Sequence, residues 1–289
     1  MATLPPGPIW LASYPKSGNT WMRILLANLL AKDEEPQNIN ALNLSDGVSA
    51  DRTAIERELL VDTDLLTPSE LARARAIAAQ DERSHRDGPS IVKTHEAYEL
   101  LDDGTAAMGR GKRAVLYLVR DPRDVAVSLA FHGGMSVDQA VETLCAWTPA
   151  GGGRHQVAHG WADWSRHASG WLGQNDLPVH LLRYEDLLAD TPKAFAAALN
   201  FLGVDFGPDE LARAVRHADF AELRRQEAAT GFVERSPNAT APFFRQGRAG
   251  GWREYLNPAQ QARLERAHRV MMARLGYLPA ALDDEEDGL

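Results

Sequence analysis

Apolar positions along this chain follow two rhythms. Short, nearly continuous runs cover 9–14, 90–95, 113–119 and 178–184, the clearest being Ala114-Val115-Leu116-Tyr117-Leu118-Val119. Runs of this length, closed by turn residues, read as buried strands. Elsewhere apolar residues recur every three or four positions. This spacing predicts helices over 20–31 (Trp21, Ile24, Leu25, Leu29), about 68–80, from 125 to 131, 157–172 (Trp161, Trp164, Trp171), 191–202, 208–216, 218–227 and 258–274. Residues 33–65 are polar and weakly periodic, 85–89 read as a turn, Ala150-Gly151-Gly152-Gly153 as a mobile stretch, and the acidic end, 283–289, as frayed. Strands alternate with helices. The expected fold is therefore a three-layer α/β architecture, a central parallel sheet with helices on both faces. With no internal repeat and no linker, residues 1–289 are expected to form a single domain.

Composition narrows the field. Apolar residues make up 44% and charged residues 25%, as in ordinary globular proteins, and the net charge of −9 argues against a general nucleic-acid binder. The single cysteine, Cys145, excludes an internal disulfide; with Val141, Leu144 and Trp147 around it, it reads as core. No apolar run is long enough for a membrane span, and Met1 to Pro6 carries no signal-peptide pattern. A cytoplasmic protein is expected.

The chemistry begins at Tyr14-Pro15-Lys16-Ser17-Gly18-Asn19-Thr20-Trp21, between the first strand and the first helix. A helix start offers free amides and partial positive charge to an anion. Gly18 permits close backbone approach, Ser17, Asn19 and Thr20 bring short donors, and Lys16 adds a charge. Alone, the pattern also fits a plain helix cap. It differs from the triphosphate loop Gly-x-x-x-x-Gly-Lys-Ser/Thr, because there is one glycine and the lysine precedes it.

This segment resembles the 5′-phosphosulfate loop of cytosolic-type sulfotransferases, Tyr-Pro-Lys-Ser-Gly-Thr-Thr-Trp, with Asn19 as the one departure. Those enzymes use 3′-phosphoadenosine 5′-phosphosulfate (PAPS) as co-substrate and release the bisphosphate PAP. The likeness continues in chain order. Arg120-Asp121-Pro122-Arg123-Asp124 through Ser128 is similar to the family's 3′-phosphate segment. Arg245-Gln246-Gly247-x-x-Gly250-Gly251-Trp252 is similar to Arg-Lys-Gly-x-x-Gly-Asp-Trp, with Gln246 in place of a lysine and Gly251 in place of an aspartate. The resemblance implies a P-loop-like nucleotide-binding core. It implies that Arg120, Ser128, Arg245 and Gly247 grip the 3′-phosphate. It also implies that Tyr184, in Tyr184-Glu185-Asp186, bonds the adenine between the rings of Trp21 and Phe220. The chain's Ala/Arg-rich style and Asn19 resemble bacterial members, including those that sulfate glycopeptide antibiotics.

Lys93-Thr94-His95 resembles the family's Lys-Thr-His, which makes His95 the expected general base; a neutral imidazole suits that task. Lys16 would then neutralise the leaving-group oxygen and Lys93 the sulfuryl oxygens, with Ser128 restraining Lys16 until the acceptor arrives; no metal is implied. His85, His132, His155, His159, His167, His180, His217 and His268 lack a comparable setting and are expected to be mostly solvated. The acceptor is expected to be a small hydroxyl compound, a phenol or alcohol, bound by 36–66, 132–156 and 228–244. Phe131, His132, Met135, Trp147, Phe232, Phe243 and Phe244 suggest an apolar or aromatic partner there, and fit a place in the core equally well. The family's dimer motif is not kept at Arg253 to Pro258, so the oligomeric state stays open. A nucleotide kinase or NTPase and a non-catalytic nucleotide-binding module remain the alternatives.

Overall fold

The computed structural model describes residues 2–31, 33–42, 45–48, 50–81, 89–109 and 113–279. The chain runs β1 (Gly7–Ser13), α1 (Asn19–Leu30), β2 (Ser45–Val48), α2 (Arg52–Leu59), α3 (Pro68–Asp81), β3 (Pro89–Thr94), β4 (Ala114–Val119), α4 (Pro122–Gly133) and α5 (Val137–Cys145). A hairpin of β5 (Thr148–Gly151) and β6 (Ala158–Trp161) follows, then α6 (Trp164–Gly173), β7 (Val179–Arg183), α7 (Tyr184–Ala189), α8 (Thr191–Leu202), α9 (Pro208–His217), α10 (Phe220–Thr230) and α11 (Pro258–Arg274). Short 3₁₀ turns lie at Thr63–Leu65 and Gly251–Glu254. Among the described residues, no helix is long and apolar enough to cross a membrane.

Five strands form one sheet in the order β2-β3-β1-β4-β7, every neighbouring pair parallel. Strand side chains alternate between faces. Ile9, Leu11, Leu116 and Leu118 pack on one side with Met22, Leu25 and Leu26 of α1 and Phe195, Leu199 and Leu202 of α8. Trp10, Ala12, Val115, Tyr117 and Val119 pack on the other with Leu129 of α4, Leu144 of α5, Trp164 and Trp171 of α6, and Met272 of α11. Covering both faces explains why the strand sequences are continuously apolar rather than alternating. β1 lies in the middle. The chain leaves it for α1 on one face, and leaves its neighbour β4 for α4 on the other. Divergent exits of this kind open a crevice at the carboxyl ends of the strands.

The expected architecture and the four expected strands are present. The helix expected over 157–172 is not a single element. Its first part is β6, paired antiparallel with β5 (Thr148 opposite Trp161), and the helix starts only at Trp164, where Asp163 caps it by accepting from the Arg166 amide at 2.9 Å. The same pairing takes up part of the glycine stretch expected to be mobile, Gly151 lying opposite Ala158. α5 has no counterpart in the sequence reading; a capping box of Ser136 and Gln139 nucleates it. α2 and β2 lie in the weakly periodic 33–65 segment. Cys145 is half-buried rather than core, and Trp147 is 63% exposed. His167 and His268 are buried, not solvated. The turn expected at 85–89, apart from Pro89, and the acidic end at 283–289 lie outside the described residues.

Trp171 joins the sheet to the loop after β3. It is fully buried, donates to the Glu96 carbonyl at 2.8 Å, and packs edge-on against Trp10 and Tyr98. Trp171→Ala should cost about 3–5 kcal/mol, because it leaves both a cavity and an unpaired buried carbonyl. Urea denaturation should show this as a lowered midpoint with an unchanged slope.

Candidate functional site

Four parallel strands end side by side, and each delivers one group of functional side chains. β1 runs into the 14–18 loop, β3 carries Lys93 and is followed by His95, β4 is followed by Arg120, and β7 by Tyr184. One cavity of about 340 Å³ gathers Lys16, Gly18, Asn19, Thr20, Trp21, Lys93, His95, Arg120, Ser128, Tyr184, Phe220, Arg245, Gln246 and Gly247 in its wall. Of the catalytic and nucleotide-binding residues expected from sequence, Ser17 alone is outside this wall. It is fully buried, and its hydroxyl has no protein partner.

The loop is wound tightly. Lys16 has φ 68°, and Gly18 has φ 102°, where a side chain would meet the Tyr184 ring at 3.0 Å. Only glycine tolerates both demands. Gly18 is also the N-cap of α1 and brings no side chain to it, so the first helical amides keep their capacity for an anion. The Lys16 ammonium lies 4.0 Å from the centre of the Phe243 ring. Burial, followed by the nearby Arg120, lowers its pKa to about 7. Arg120 lies over the Tyr184 ring at 4.2 Å and donates to the Lys16 carbonyl at 3.4 Å and the Arg248 carbonyl at 3.1 Å. The 3′-phosphate arginine of the sequence reading is thus tied to the 14–18 loop.

The glycine-rich segment after 244 is anchored by Asp124. Its carboxylate accepts from the Gly250 amide at 2.6 Å and the Trp252 amide at 2.9 Å. This brings Gly247, at φ 58°, against Phe220; a side chain there would lie 2.5 Å from the ring. Phe220 and Trp21 both face the cavity, and Trp21 is fixed by donating to the Ala218 carbonyl at 2.9 Å. The Arg245 guanidinium lies 4.3 Å from the centre of the Phe131 ring and donates to the Tyr255 hydroxyl at 3.1 Å.

His95 is buried. Its Nδ1 is 2.8 Å from the Ser13 carbonyl oxygen, which only accepts, so Nδ1 carries the proton and Nε2 the lone pair. Burial, then the charge of Lys93, lowers its pKa well below the usual histidine value. His95 is therefore a neutral base at pH 7.

Several cavity residues gave no sequence signal. Glu234 lies in an irregular segment, and its partners come from two elements, α1 and β3. It accepts from Thr20 Oγ1 at 2.9 Å, pairs with Arg23, and lies 3.6 Å from the Lys93 ammonium. Arg23 was visible as a charge between Met22 and Ile24 in an apolar helix, a pattern that asks for a buried partner. Trp161 also lines the cavity, and so does His132, which the sequence reading placed in an acceptor loop. Contrary to the expectation of a solvated side chain, His132 is half-buried, and burial with the nearby Lys16 lowers its pKa to about 4. Of the aromatic residues assigned to the acceptor, Phe243 and Phe244 face the cavity. Phe131 lies under Arg245, Phe232 is buried in the core, and Trp147 packs on Gly160.

Residues 6–276 match the sulfotransferase domain, and the chain belongs to that family. It is 26% identical over 278 residues to sulfotransferase 2A6 of Rattus norvegicus, covering 93% of this chain and 85% of the relative. It is 26% identical over 293 residues to sulfotransferase 2B1 of Homo sapiens, covering 97% and 70% respectively. In fold it is similar to mouse sulfotransferase SULT7A1 complexed with PAP (TM-score 0.58, 19% identity, 94% of this chain and 85% of the other). It is also similar to retinol dehydratase in complex with androsterone and PAP (TM-score 0.60, 18% identity, 92% and 80%). Its reaction class is sulfuryl transfer, and a kinase or NTPase is not favoured.

Glu234 makes a testable contribution to stability. Burial raises its pKa, but Lys93 and Arg23 outweigh burial and hold it at about 2, against an ordinary 4.5. A depressed carboxylate stabilises the fold above its unfolded pKa, and that stabilisation is lost as pH falls through the folded value. Glu234→Gln should therefore lower stability by about 3 kcal/mol at pH 7. In acid titrations followed by urea unfolding, the gap to wild type should close between pH 4.5 and about 2.

Proposed function

We propose that this sulfotransferase moves the sulfuryl group of PAPS to the hydroxyl of a small, largely apolar acceptor, with His95 as general base. The observation that carries this reading is the convergence of Lys16, Lys93, His95 and Arg120 on one cavity from three neighbouring strand ends. In the reaction, the acceptor oxygen attacks sulfur as its proton passes to His95 Nε2. The bond from sulfur to the bridging phosphate oxygen breaks in line, and PAP leaves with the extra charge. Lys16 neutralises that bridging oxygen and Lys93 the sulfuryl oxygens; stabilising developing charge is usually the largest catalytic term. Positioning and electrostatics suffice, as in phosphoryl transfer, and the reading requires no metal.

For the nucleotide, the 14–21 loop and the helix start behind it hold the 5′ end. Arg120, Ser128, Arg245 and Gly247 hold the 3′-phosphate, with Gln246 beside them. Trp21 and Phe220 flank the adenine near Tyr184. Support comes from the PAP carried by the structural relatives and from the ring and guanidinium placements in this chain. The acceptor side is walled by Leu129, His132, Trp161, Phe243 and Phe244. These side chains are apolar or neutral and suit an aromatic or alicyclic alcohol. One structural relative is a complex with androsterone.

Labelled PAPS with a panel of phenols and alcohols tests the reading; failure both to bind PAP and to sulfate any acceptor would refute it. Lys16→Ala and His95→Ala should each lose roughly 10²–10⁴-fold in kcat. His95→Ala should keep its PAP affinity, whereas Arg120→Ala should mainly lose it.

The Lys16 amine, lowered to about 7, gives a second readout. A bound polyanion raises its pKa. PAP binding at pH 8 should therefore take up roughly one proton, measured by calorimetry in buffers of different ionisation enthalpy. Lys16→Arg should abolish the uptake, because a guanidinium stays charged throughout.

A further inference from the structure

Glu234 places a negative charge where the proposed reaction handles a negative group. It enters the cavity wall from the segment after α10, its side chain 26% exposed, and its two oxygens face different partners. Oε1 pairs with the buried Arg23 of α1. Oε2 accepts from Thr20 Oγ1 at 2.9 Å and lies 3.6 Å from the Lys93 ammonium. Arg23 also donates to Thr20 Oγ1, at 3.2 Å. The backbone around Glu234 is held in place. Asn40 accepts from the Val233 amide at 2.8 Å and donates to the Gly231 carbonyl at 3.0 Å. The carboxylate is therefore a built part of the wall, and with a pKa of about 2 it is ionised throughout the neutral range.

We infer that Glu234 is a counter-charge to the bound donor: by sharing Thr20 and Lys93 with the sulfuryl end of PAPS, it weakens the bound donor more than the transition state. The inference rests on the reading of PAPS as the donor and of Lys93 as the group on the sulfuryl oxygens. In bound PAPS those oxygens carry a full negative charge, and the Glu234 carboxylate opposes it across the ammonium that both contact. In the transfer, the bond from sulfur to the bridging oxygen breaks and its electron pair goes to PAP. The acceptor oxygen bonds to sulfur and its proton goes to His95. Where bond breaking runs ahead of bond making, as in phosphoryl transfer, the moving group comes to resemble neutral sulfur trioxide. Its charge has then passed to the bridging oxygen, which Lys16 meets. The repulsion from Glu234 is thus felt by the bound donor and relieved in the transition state. An interaction of that kind raises kcat, whereas one felt equally in both states does not.

The test uses the full-length protein. Glutamine at 234 removes the charge and keeps the shape. Glu234→Gln should bind PAPS about tenfold more tightly in calorimetry without acceptor, and in steady-state assays it should lower both KM for PAPS and kcat, each about five- to tenfold. PAP has no sulfuryl group, so its affinity should rise no more than about threefold. Arg23→Gln is the control for a merely structural role. It removes the partner of Oε1 and leaves the carboxylate to bear on Thr20 and Lys93. PAPS affinity should then fall about threefold or more, opposite in sign to Glu234→Gln. A loosened wall would move both variants in the same direction. Both variants lose stability, bound PAP restores part of it, and either alone gives a sign should the other not fold. Unchanged or weaker PAPS binding in Glu234→Gln would overturn the proposal. So would tighter binding with kcat unchanged, or equal tightening for PAP and PAPS. A wild-type protein that bound neither PAP nor PAPS would instead remove the donor reading on which the inference rests.

Discussion

Positive charge gathered in a poorly solvated crevice is the constraint that shapes the rest of this site. Lys16, Lys93, Arg120 and Arg245 line one cavity in a chain whose formal net charge is −9. Neighbouring cations repel, and each loses solvation on burial. Three of the four rest on ring faces: Lys16 on Phe243 at 4.0 Å, Arg120 on Tyr184 at 4.2 Å, and Arg245 on Phe131 at 4.3 Å. A ring holds a cation by about 0.5–2 kcal/mol. That fixes a position yet yields readily to the charge-assisted hydrogen bonds of a phosphate. A carboxylate partner for every cation would instead compete with the donor for the same charges. Among the described residues, Lys93 is the one of the four in ion-pair contact with a carboxylate, and Glu234 divides its charge among Lys93, Arg23 and Thr20.

The rings must themselves be held, and buried carboxylates do this from behind. Glu227 in α10 accepts from the Phe243 amide at 2.6 Å and the Phe244 amide at 3.0 Å. Asp124 does the same for Gly250 and Trp252. Each carboxylate fixes backbone amides, and the backbone in turn presents a ring or a glycine to the cavity. Negative charge is thus spent on loop geometry. Such charge-assisted bonds to backbone amides are stronger than neutral ones, which explains how irregular segments keep functional side chains in register.

How much of this was legible in the sequence depends on how local each interaction is. The strands were readable because burial on both faces leaves continuous apolar runs, and the 14–21 loop because its chemistry lies within a few residues. The β5–β6 hairpin was not. Trp161, Trp164 and Trp171 imitate a helical period, while the pairing that makes Trp161 a strand residue comes from Thr148. Glu234 was unreadable for a related reason: its partners lie in α1 and β3, and only tertiary folding brings them together. His167 is the instructive miss. It follows Trp164 by three positions and precedes Trp171 by four, on the buried stripe of α6, so the helical spacing already placed it in the core. Its polarity outweighed its position in the sequence reading. The Tyr117 hydroxyl, 2.9 Å from its Nδ1, makes that burial tolerable.

In the proposed reaction the base and the leaving-group cation must keep a fixed separation while acceptors of different shape come and go. The ladder between β1 and β3 meets that need, with Leu11 opposite Lys93 and Ala12 opposite Thr94. His95 and the 14–18 loop are therefore continuations of two hydrogen-bonded strands, and backbone pairing, not side-chain packing, sets their spacing. The acceptor walls come from elsewhere: His132 closes α4, Trp161 ends β6, and Phe243 and Phe244 lie beyond α10. His132 and Trp161 can change what fits without disturbing the ladder. Phe243 cannot, because the same ring faces the acceptor and carries the Lys16 ammonium. At that one residue, the shape of the acceptor and the position of the leaving-group charge are a single variable. A substitution made there for specificity alters the chemistry as well.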